Sequence, residues 1–442
     1  MDTVLEITIW GEKVGAAVWD RVKGIGIFEF YDSFSRLNRD IAPLTMPLKE
    51  VHRGDRIFQF PTHKGKTFKG LPGLLADSLP DDYGNMIIDE WLASQGLDPA
   101  SSTSIDRLCY VGKRGMGALE YAPAIHDSIL NESSIVEIER LTKAAQEILH
   151  AKERFRENLK RGDKSIKEIL KVGTSAGGAK PKAIIAWNEK TQEVRSGQVE
   201  APEGFGYWLI KFDGVDDKKM SDNPLGIGRI EYAYHKMALA CGIHMTECRL
   251  LREKEYAHFI TKRFDRTDKG EKLHIQTLCA IAHFDRDDRH SYEQAFQVMR
   301  RLGLSNGQIE QLYRRMVFNV VFRNHDDHTK NHSFIMDKSG EWKLAPAYDL
   351  CYSYSTLGKW TNQHQMSINN KRNNFEYADL LIVASKMGIK SAKEIIAQIT
   401  DVATKWEEYA QEAEVRTEHI KIIGSNLFLH TKIIPCRCCL VH

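Results

Sequence analysis

The sequence predicts an α+β protein in which a β-rich N-terminal unit is followed by a strand-containing unit and a mostly helical one. Alternating apolar residues near the start predict an antiparallel meander of short strands: Thr3–Trp10, Val14–Trp19 and Ile25–Phe30. The first turn of this meander is predicted at Gly11-Glu12, and an amphipathic helix is predicted to begin near Asp81.

The middle part of the chain is predicted to add strands on either side of a helix. Its apolar runs, bounded by turn residues, are KAIIAW (182–187), YWLIKF (207–212) and HFITKRF (258–264). Helical spacing appears over 135–160, and again from about Arg229 to Cys241 before Gly242.

From about residue 275 to 424 the apolar spacing is mostly helical, with one polar-rich interruption at 323–349. The predicted organisation is therefore a β-rich unit, a second α+β unit, a helical unit and a short tail that we predict to be disordered. Their predicted boundaries are 1–125, 126–262, 263–430 and 431–442.

Composition excludes several classes of protein. Of 442 residues, 42% are hydrophobic and 28% charged, which is ordinary for a globular protein and not for a wholly disordered one. The 62 basic and 60 acidic side chains leave a net charge of +2, so no global charge favours nucleic acid. No apolar run approaches the length of about 18 residues that a membrane span needs. The N-terminal residues lack the pattern of a signal peptide, so we expect a cytoplasmic protein with no membrane association.

Two local features stay open at this point. The stretch Lys152–Lys171 has eight basic and four acidic residues, which suits either a solvated helix face or a contact with phosphate groups. The eight cysteines are expected to be reduced, and a cluster near the end, Cys436, Cys438 and Cys439, has no recognisable zinc spacing. A frayed tail is favoured over a metal or lipidation site.

The densest polar cluster, Arg323–His332, is the strongest candidate for chemistry. It follows an apolar helical run, and a short hairpin after it leads to Asp349. Such a hairpin can bring Asp326, Asn331 and Asp349 together. Asn331 and Asp349 offer the hard oxygen ligands that Mg²⁺ prefers, and Asp326 could accept a hydroxyl proton. Helix capping and surface charge explain the same residues equally well at this stage.

Phosphate chemistry also needs anion-binding groups upstream, and two candidates exist. The loop GTSAGGAKPKA (173–183) is rich in small residues, so its N–H groups can approach an anion, although it is not a Walker A loop. Lys211 lies in an apolar strand and needs a counter-charge, which phosphates or the helix residue Glu231 could supply. A lysine whose charged end reaches solvent explains Lys211 as well.

Together these segments resemble the HipA family of serine/threonine kinases, the toxin halves of bacterial toxin–antitoxin pairs. The matching segments fall in the family's order over roughly residues 1–380: LPGLLADSLPDDYGN (71–85), RGMGALEY (114–121), TSAGGAKPKA (174–183), WLIKF (208–212), the helix around Glu231, FITKRFDR (259–266), HDDHTKN (325–331) and LAPAYDL (344–350). The resemblance implies a bilobal, protein-kinase-like fold with ATP and Mg²⁺ as cofactors.

The resemblance also implies residue roles. Asp326 would be the catalytic aspartate, and Asn331 and Asp349 would hold magnesium. The nucleotide would be bound by Gly177, Gly178, Lys182, Lys211, His328 and the hinge that runs from Lys262 to Phe264. Lys211 would pair with Glu231.

Regulation and partners follow from the same resemblance. Ser175, or Thr174 beside it, would be the autophosphorylation site that switches the kinase off. The implied partners are a small helix-turn-helix antitoxin, a cytosolic protein substrate such as an aminoacyl-tRNA synthetase, and operator DNA through the antitoxin complex alone.

Two alternatives are weighed against a kinase. The chain could be a catalytically silent corepressor that acts with its antitoxin, although Asp326, Asn331, Asp349 and Lys211 are all intact. His325-Asp326, with His328 and His332, could instead belong to an HD-type metal phosphohydrolase, which would need further histidine and aspartate ligands from other helices.

Overall fold

The structure, a computed structural model, describes residues 3–124, 134–150, 172–173, 181–215 and 226–428. Its strands, in chain order, are β1 (Leu5–Ile9), β2 (Glu12–Asp20), β3 (Ile25–Phe30), β4 (Ile57–Phe58), β5 (Leu119–Ala122), β6 (Lys182–Trp187), β7 (Val194–Ser196), β8 (Gly206–Lys211), β9 (Cys248–Glu253), β10 (Tyr256–Lys262), β11 (His274–Thr277), β12 (His290–Ser291), β13 (Ser333–Met336), β14 (Trp342–Leu344) and β15 (Met366–Ser367).

The α-helices, numbered in the same way, are α1 (Asp32–Ser35), α2 (Leu48–Val51), α3 (Gly73–Ala76), α4 (Asp82–Ser94), α5 (Ser104–Val111), α6 (Ile138–His150), α7 (Ile227–Ala240), α8 (Leu278–Ala282), α9 (Tyr292–Arg301), α10 (Asn306–Val321), α11 (Tyr377–Met387), α12 (Ala392–Thr404), α13 (Trp406–Glu412) and α14 (Thr417–Asn426). None of the helices in these described ranges is long and apolar enough to cross a bilayer.

The chain divides into two compact units. The first comprises Met1–Gly228, Arg249–Gln276 and Ile335–Glu341, and the second comprises Arg229–Cys248, Thr277–Phe334 and Trp342–His442. The first unit carries most of the strands and the second most of the long helices, so the predicted α+β class is confirmed.

The first unit begins with an antiparallel sheet of order β4-β3-β2-β1-β5. Leu5, Ile7 and Ile9 alternate into its core and are fully buried, as the period of two predicts. The predicted position of the first turn is wrong by one residue: Ile9 pairs with Glu12, so the turn is Trp10-Gly11. Both turn residues have positive φ, which suits the two-residue turns that join twisted strands and leaves Glu12 within β2.

The second sheet of this unit has the order β7-β6-β8-β10-β9. Helices α4 and α6 pack on it through a core that includes Ile87, Leu141, Ile185 and Ile210. The predicted helix 135–160 begins later than expected, because Ile135 forms a bridge to Arg195 and the helix starts at Ile138. The basic stretch Lys152–Lys171 lies outside the described residues.

In the second unit, α10 is largely buried and ends where the polar cluster begins. Strands β13 and β14 confirm the predicted hairpin between this cluster and Asp349. The interruption of the helical pattern is longer than predicted, because regular helix returns only at Tyr377. Main-chain groups in this stretch bond to the polar cluster instead, as Gln365 N does to Asp327.

Candidate functional site

The polar cluster is held at the end of α10, and Arg323 fixes where it starts. Arg323 has a φ of +55°, which turns the chain out of the helix. Its Nε donates to the carbonyl oxygen of Asn426 at 2.8 Å, and its guanidinium lies over the rings of Tyr354 (5.0 Å) and Phe428 (4.7 Å). The start of the candidate loop is thereby attached to the C-terminal segment.

The two adjacent aspartates of the cluster have different environments. The side chain of Asp326 is 41% exposed, whereas that of Asp327 is 0% exposed. Asp327 accepts hydrogen bonds from His364 Nδ1 (2.8 Å), Gln365 N (2.7 Å) and the Tyr292 hydroxyl (3.0 Å). Of the pair, Asp326 is therefore the one with access to a reacting group.

Asn331 lies beside Asp326, as their spacing in the sequence predicts. Its Nδ2 donates to the main-chain oxygen of Asp326 at 2.7 Å. This bond orients the amide and leaves its oxygen, Oδ1, for another partner. A half-buried amide oxygen held in this way is a suitable ligand for a hard cation.

Asp349 lies in a left-handed turn with a φ of +52°. The turn is held to the polar cluster on both sides. Asn324 Nδ2 donates to the Asp349 main-chain oxygen at 3.4 Å, and Tyr348 donates its hydroxyl to the Lys330 carbonyl at 2.7 Å. Just beyond the turn, His325 N donates to the Ser353 carbonyl at 3.2 Å. The hairpin therefore returns Asp349 to the loop that carries Asp326 and Asn331.

His328 lies next to the acidic groups of the candidate site. Burial, together with a smaller contribution from the charge of Arg286, lowers the pKa of His328 to about 3, although Asp349 opposes this. Its Nε2 lies 3.7 Å from Asp326 Oδ1. His328 is therefore uncharged at neutral pH and near both carboxylates, so it can offer a hydrogen bond to an anion but no charge.

The donor set fits magnesium better than it fits a transition metal. One carboxylate, Asp349, and one amide oxygen, Asn331, match the few protein ligands that Mg²⁺ takes when phosphates supply the others. In the part of the chain that the structure describes, no group of three or more His, Cys, Asp or Glu is placed to hold a metal ion. The phosphohydrolase alternative therefore gains no support within those residues.

Beneath the loop lies a buried network that joins these elements, which we call the Asp327 network: Asp327, Tyr292, His364, Asn319 and Asn324. Asn319 Nδ2 donates to the Tyr292 oxygen at 2.9 Å, and Asn324 Nδ2 donates to Asn319 Oδ1 at 2.9 Å. It therefore connects Asp327, at one end, with the main chain of Asp349 at the other.

The predicted phosphate-binding lysines lie opposite each other in the first unit. Lys182 on β6 pairs in register with Lys211 on β8, so their side chains leave the same face of the sheet. Lys182 is 4% exposed, and its Nζ lies 3.7 Å from Asp81 Oδ2. Burial raises the pKa of Asp81 to about 7, although Lys182 opposes this rise. Lys211 Nζ lies 5.7 Å from the centre of the Phe259 ring.

The predicted hinge ends β10 and continues into a buried ionic cluster. The Arg263 N–H donates to the Tyr207 carbonyl at 2.9 Å, so this amide is not available to an adenine. Lys262 pairs with Asp268 at 2.7 Å, and Phe264 is half-buried. Adenine recognition by the hinge stays a prediction.

The contacts predicted for the remaining residues stay predictions. Glu231 is buried on α7 in the second unit, while Lys211 belongs to the first, and their ion pair stays a prediction. Thr174, Ser175, Gly177 and Gly178 lie outside the described residues.

Sequence reasoning missed several residues that hold this site. Tyr292 and His364 are 35 and 37 positions from Asp327, and no local pattern signals such distant pairs. In the first unit, Asp81 caps the helix that the sequence predicts there, accepting from Gly84 N at 2.5 Å. Its burial beside Lys182 has no signal in the sequence.

Comparison with known proteins decides the family. A family model of the HipA-like C-terminal domain matches residues 174–406, and one of the HipA N-terminal domain matches residues 5–122. The chain belongs to the HipA family. The predicted family membership is confirmed.

Solved structures agree with this assignment. The fold of this HipA-family chain is similar to that of a chain in the Shewanella oneidensis MR-1 toxin–antitoxin complex of HipA, HipB and operator DNA. That likeness has a TM-score of 0.62 and 17% sequence identity, and it covers 95% of this chain and 94% of the other. At this identity the likeness establishes the fold, which is the HipA-type fold that the sequence predicts.

Curated relatives match over shorter stretches, and both are named as kinases only provisionally. One, Y4dM from Sinorhizobium fredii, is 27% identical over 159 residues, which is 33% of this chain and 37% of the relative. The other, from Haemophilus influenzae, is 31% identical over 106 residues, which is 22% of this chain and 31% of the relative. The match thus spans about a third of the length of each relative.

Proposed function

We propose that this protein is a magnesium-dependent serine/threonine protein kinase and the toxin of a toxin–antitoxin pair. One observation supports this most: the half-exposed carboxylate of Asp326 lies in a loop whose Asn331 and returning Asp349 are fixed by hydrogen bonds to that same loop. This is the residue set that phosphoryl transfer requires. The family assignment and the kinase names of the two relatives point the same way.

The role that we propose for each residue follows from its environment. Asp326, exposed and beside a neutral His328, accepts a hydrogen bond from the substrate hydroxyl and orients it. Asn331 Oδ1 and the Asp349 carboxylate would hold Mg²⁺, which would neutralise phosphate charge when bound. Catalysis then depends mainly on positioning and on fixed charges.

Lys182 and Lys211 are proposed to bind the phosphates of ATP. Two lysines directly opposite each other on one face of a sheet repel one another, and an anion between them relieves that repulsion. Within the first unit the Asp81 carboxyl, 3.7 Å from the Lys182 amine, supplies this charge to Lys182 when it is ionised. We propose that ATP phosphates take up this role for both lysines, while the hinge from Lys262 to Phe264 meets the adenine.

Regulation is proposed to act through Ser175, or Thr174 beside it. A phosphate there carries nearly two negative charges and competes with ATP phosphates for the same lysines. Mass spectrometry of protein made in bacteria should find this phosphate. An unmodified peptide 173–183 in an enzyme that transfers phosphate would contradict the proposal.

Phosphate transfer from γ-labelled ATP tests the proposed activity directly. The wild-type chain should label itself or an added acceptor such as casein in the presence of magnesium, and a chelator should abolish labelling. The Asp326→Asn variant should still bind ATP but lose at least about 100-fold in rate, since the group that orients the hydroxyl is gone. Equal labelling by wild type and variant would refute the assignment.

A HipB-like antitoxin is the proposed partner, because the solved structure with the same fold contains HipA with HipB and operator DNA. Such an antitoxin is expected to be a small helix-turn-helix protein, through which alone the chain meets DNA. Co-purification from the native host should recover it. Growth arrest that persists unchanged in Asp326→Asn would favour the alternative, a corepressor without kinase activity.

A further inference from the structure

We propose that Asp327 is the positioning residue for Asp326: a buried anion that fixes the catalytic loop and attaches it to the turn of Asp349. This inference rests on the proposed kinase function and deepens it. In the sequence the two aspartates are adjacent and the pattern predicts no role for Asp327, whereas the structure surrounds its carboxylate with hydrogen-bond donors.

Both oxygens of the Asp327 carboxylate accept hydrogen bonds from neighbouring donors. Oδ2 accepts from the Tyr292 hydroxyl at 3.0 Å and from His364 Nδ1 at 2.8 Å. Oδ1 accepts from Gln365 N at 2.7 Å and from Met366 N at 3.4 Å. With the side chain 0% exposed, no oxygen is left for a substrate hydroxyl or a metal ion. Asp327 therefore does not take part in the chemistry itself.

These donors come from separate parts of the second unit. Tyr292 is the first residue of α9, and His364, Gln365 and Met366 lie in the irregular segment that precedes α11. A buried carboxylate that receives several hydrogen bonds holds its neighbours in one arrangement, because any displacement leaves a donor or an acceptor without a partner. The loop is thereby fixed at the residue next to Asp326.

The network continues from Tyr292 to the proposed metal ligand. Asn319, on the buried helix α10, bonds to Tyr292 and to Asn324, and Asn324 reaches the Asp349 main-chain oxygen. The loop of Asp326 and the turn of Asp349 thus share one buried support. Their relative position determines whether the hydroxyl and the metal-bound phosphate are aligned.

Asp326 itself depends on this support, since its own side chain is half exposed. Its main chain is held on one side by Asp327 and on the other by the amide of Asn331. A displacement of about 1 Å in a reacting group can cost about 100-fold in rate. Loss of the support should therefore lower the maximal rate more than the affinity for ATP.

Tyr292→Phe is the decisive variant, because it deletes one oxygen atom that bonds to both Asp327 and Asn319. Tyr313→Phe is its matched control: Tyr313 is equally buried, and its hydroxyl donates to the Leu380 carbonyl at 3.0 Å, outside the network. Asp327→Asn is a stronger perturbation of the same network. The measurements are thermal unfolding and the rate of phosphate transfer from γ-labelled ATP as a function of ATP concentration.

We expect Tyr292→Phe to lower the maximal rate about tenfold and Asp327→Asn to lower it about 100-fold, with the KM for ATP within about twofold of wild type. Tyr313→Phe should keep the wild-type rate although it loses a comparable buried hydrogen bond. The inference is overturned if Tyr292→Phe and Tyr313→Phe have the same rate, or if Tyr292→Phe changes only the melting temperature.

The outcomes also separate this inference from the proposed function. If the wild-type chain transfers no phosphate, the proposed kinase function fails, and the inference with it. If the wild type is active, Asp326→Asn is inactive, and Tyr292→Phe keeps its full rate, only the role of Asp327 is refuted. Should Asp327→Asn fail to fold, Tyr292→Phe alone decides the question.

Discussion

Replacing Asp265 by asparagine should destabilise the first unit more than any other single charge removal that we consider. Asp265 is 0% exposed and accepts from Arg263 Nε (2.8 Å), Arg263 Nη2 (2.6 Å), Arg266 Nη1 (2.7 Å) and Gly117 N (2.8 Å). The last of these joins the segment after β10 to the turn before β5, 148 positions away. Asp265 therefore holds the segment that follows the predicted hinge.

The expected loss of stability follows from the two arginines that stay buried when the Asp265 carboxylate is removed. The side chains of Arg263 and Arg266 are 1% and 6% exposed, so without Asp265 two guanidinium groups are buried with no carboxylate between them. Removing one partner of a buried ion pair typically costs about 3–5 kcal/mol. We expect Asp265→Asn to lower the free energy of unfolding by this amount.

Asp268→Asn is a matched control from the same segment. Asp268 also forms an ion pair, with Lys262 at 2.7 Å, but its side chain is 87% exposed. Exposed pairs contribute at most about 1 kcal/mol, so this variant should behave nearly as wild type. Urea unfolding of the full chain, followed by circular dichroism, compares the two. Equal and small shifts of the unfolding midpoint would refute the reasoning.

The pH dependence supplies a second check on Asp265. Burial would raise the pKa of its carboxyl, but Arg263 and Arg266 hold that pKa well below its ordinary value. The folded pKa is thus lower than the unfolded one, near 3.9, so the stabilisation is present above about pH 4 and is lost as the pH falls below it. The difference in the free energy of unfolding between wild type and Asp265→Asn should be constant from about pH 5 to 8. It should become smaller as the pH falls below about 4.

Two further predictions concern Asp81 and Arg323, for which the sequence predicts no chemical role. Burial raises the pKa of Asp81 to about 7, above its unfolded value, so the carboxyl favours folding at low pH and loses this contribution as the pH rises toward 7. Asp81→Asn, which can still cap α4, should flatten the pH dependence of unfolding between about pH 4 and 7, and an unchanged curve would count against the buried position. Arg323→Ala should lower the melting temperature and the rate of phosphate transfer, because the cation–π contacts with Tyr354 and Phe428, each about 0.5–2 kcal/mol, are lost. A wild-type rate in that variant would show that the C-terminal segment does not support the loop.

The order of strands and helices could be predicted because it depends on local periodicity. The alternation in β1 to β3, the apolar runs of β6 and β8, and the hairpin of β13 and β14 all appear where the sequence indicates. The proximity of Asp326 and Asn331 could also be predicted, because a separation of five residues is short enough for the Asn331 amide to reach the Asp326 main chain.

The support of the site could not be predicted, because it depends on pairs of residues far apart in the chain. Nothing near Asp327 indicates that Tyr292 and His364 will surround it, and nothing near Asp265 indicates Gly117. The first turn shows the same limit at short range. Glycine was recognised as a turn residue, but the register was set by the pairing of Ile9 with Glu12.

Binding of ATP in the presence of magnesium tests the central claim most directly, namely that Asn331 and Asp349 hold one ion beside Asp326. Isothermal titration should show about tenfold weaker binding for Asn331→Ala and for Asp349→Asn, and both losses should disappear when magnesium is left out. Because both residues would hold the same ion, their effects should not add. The double variant should bind ATP only slightly more weakly than the single variant with the lower affinity. Unchanged affinity in either single variant, or losses that persist without magnesium, would contradict the account.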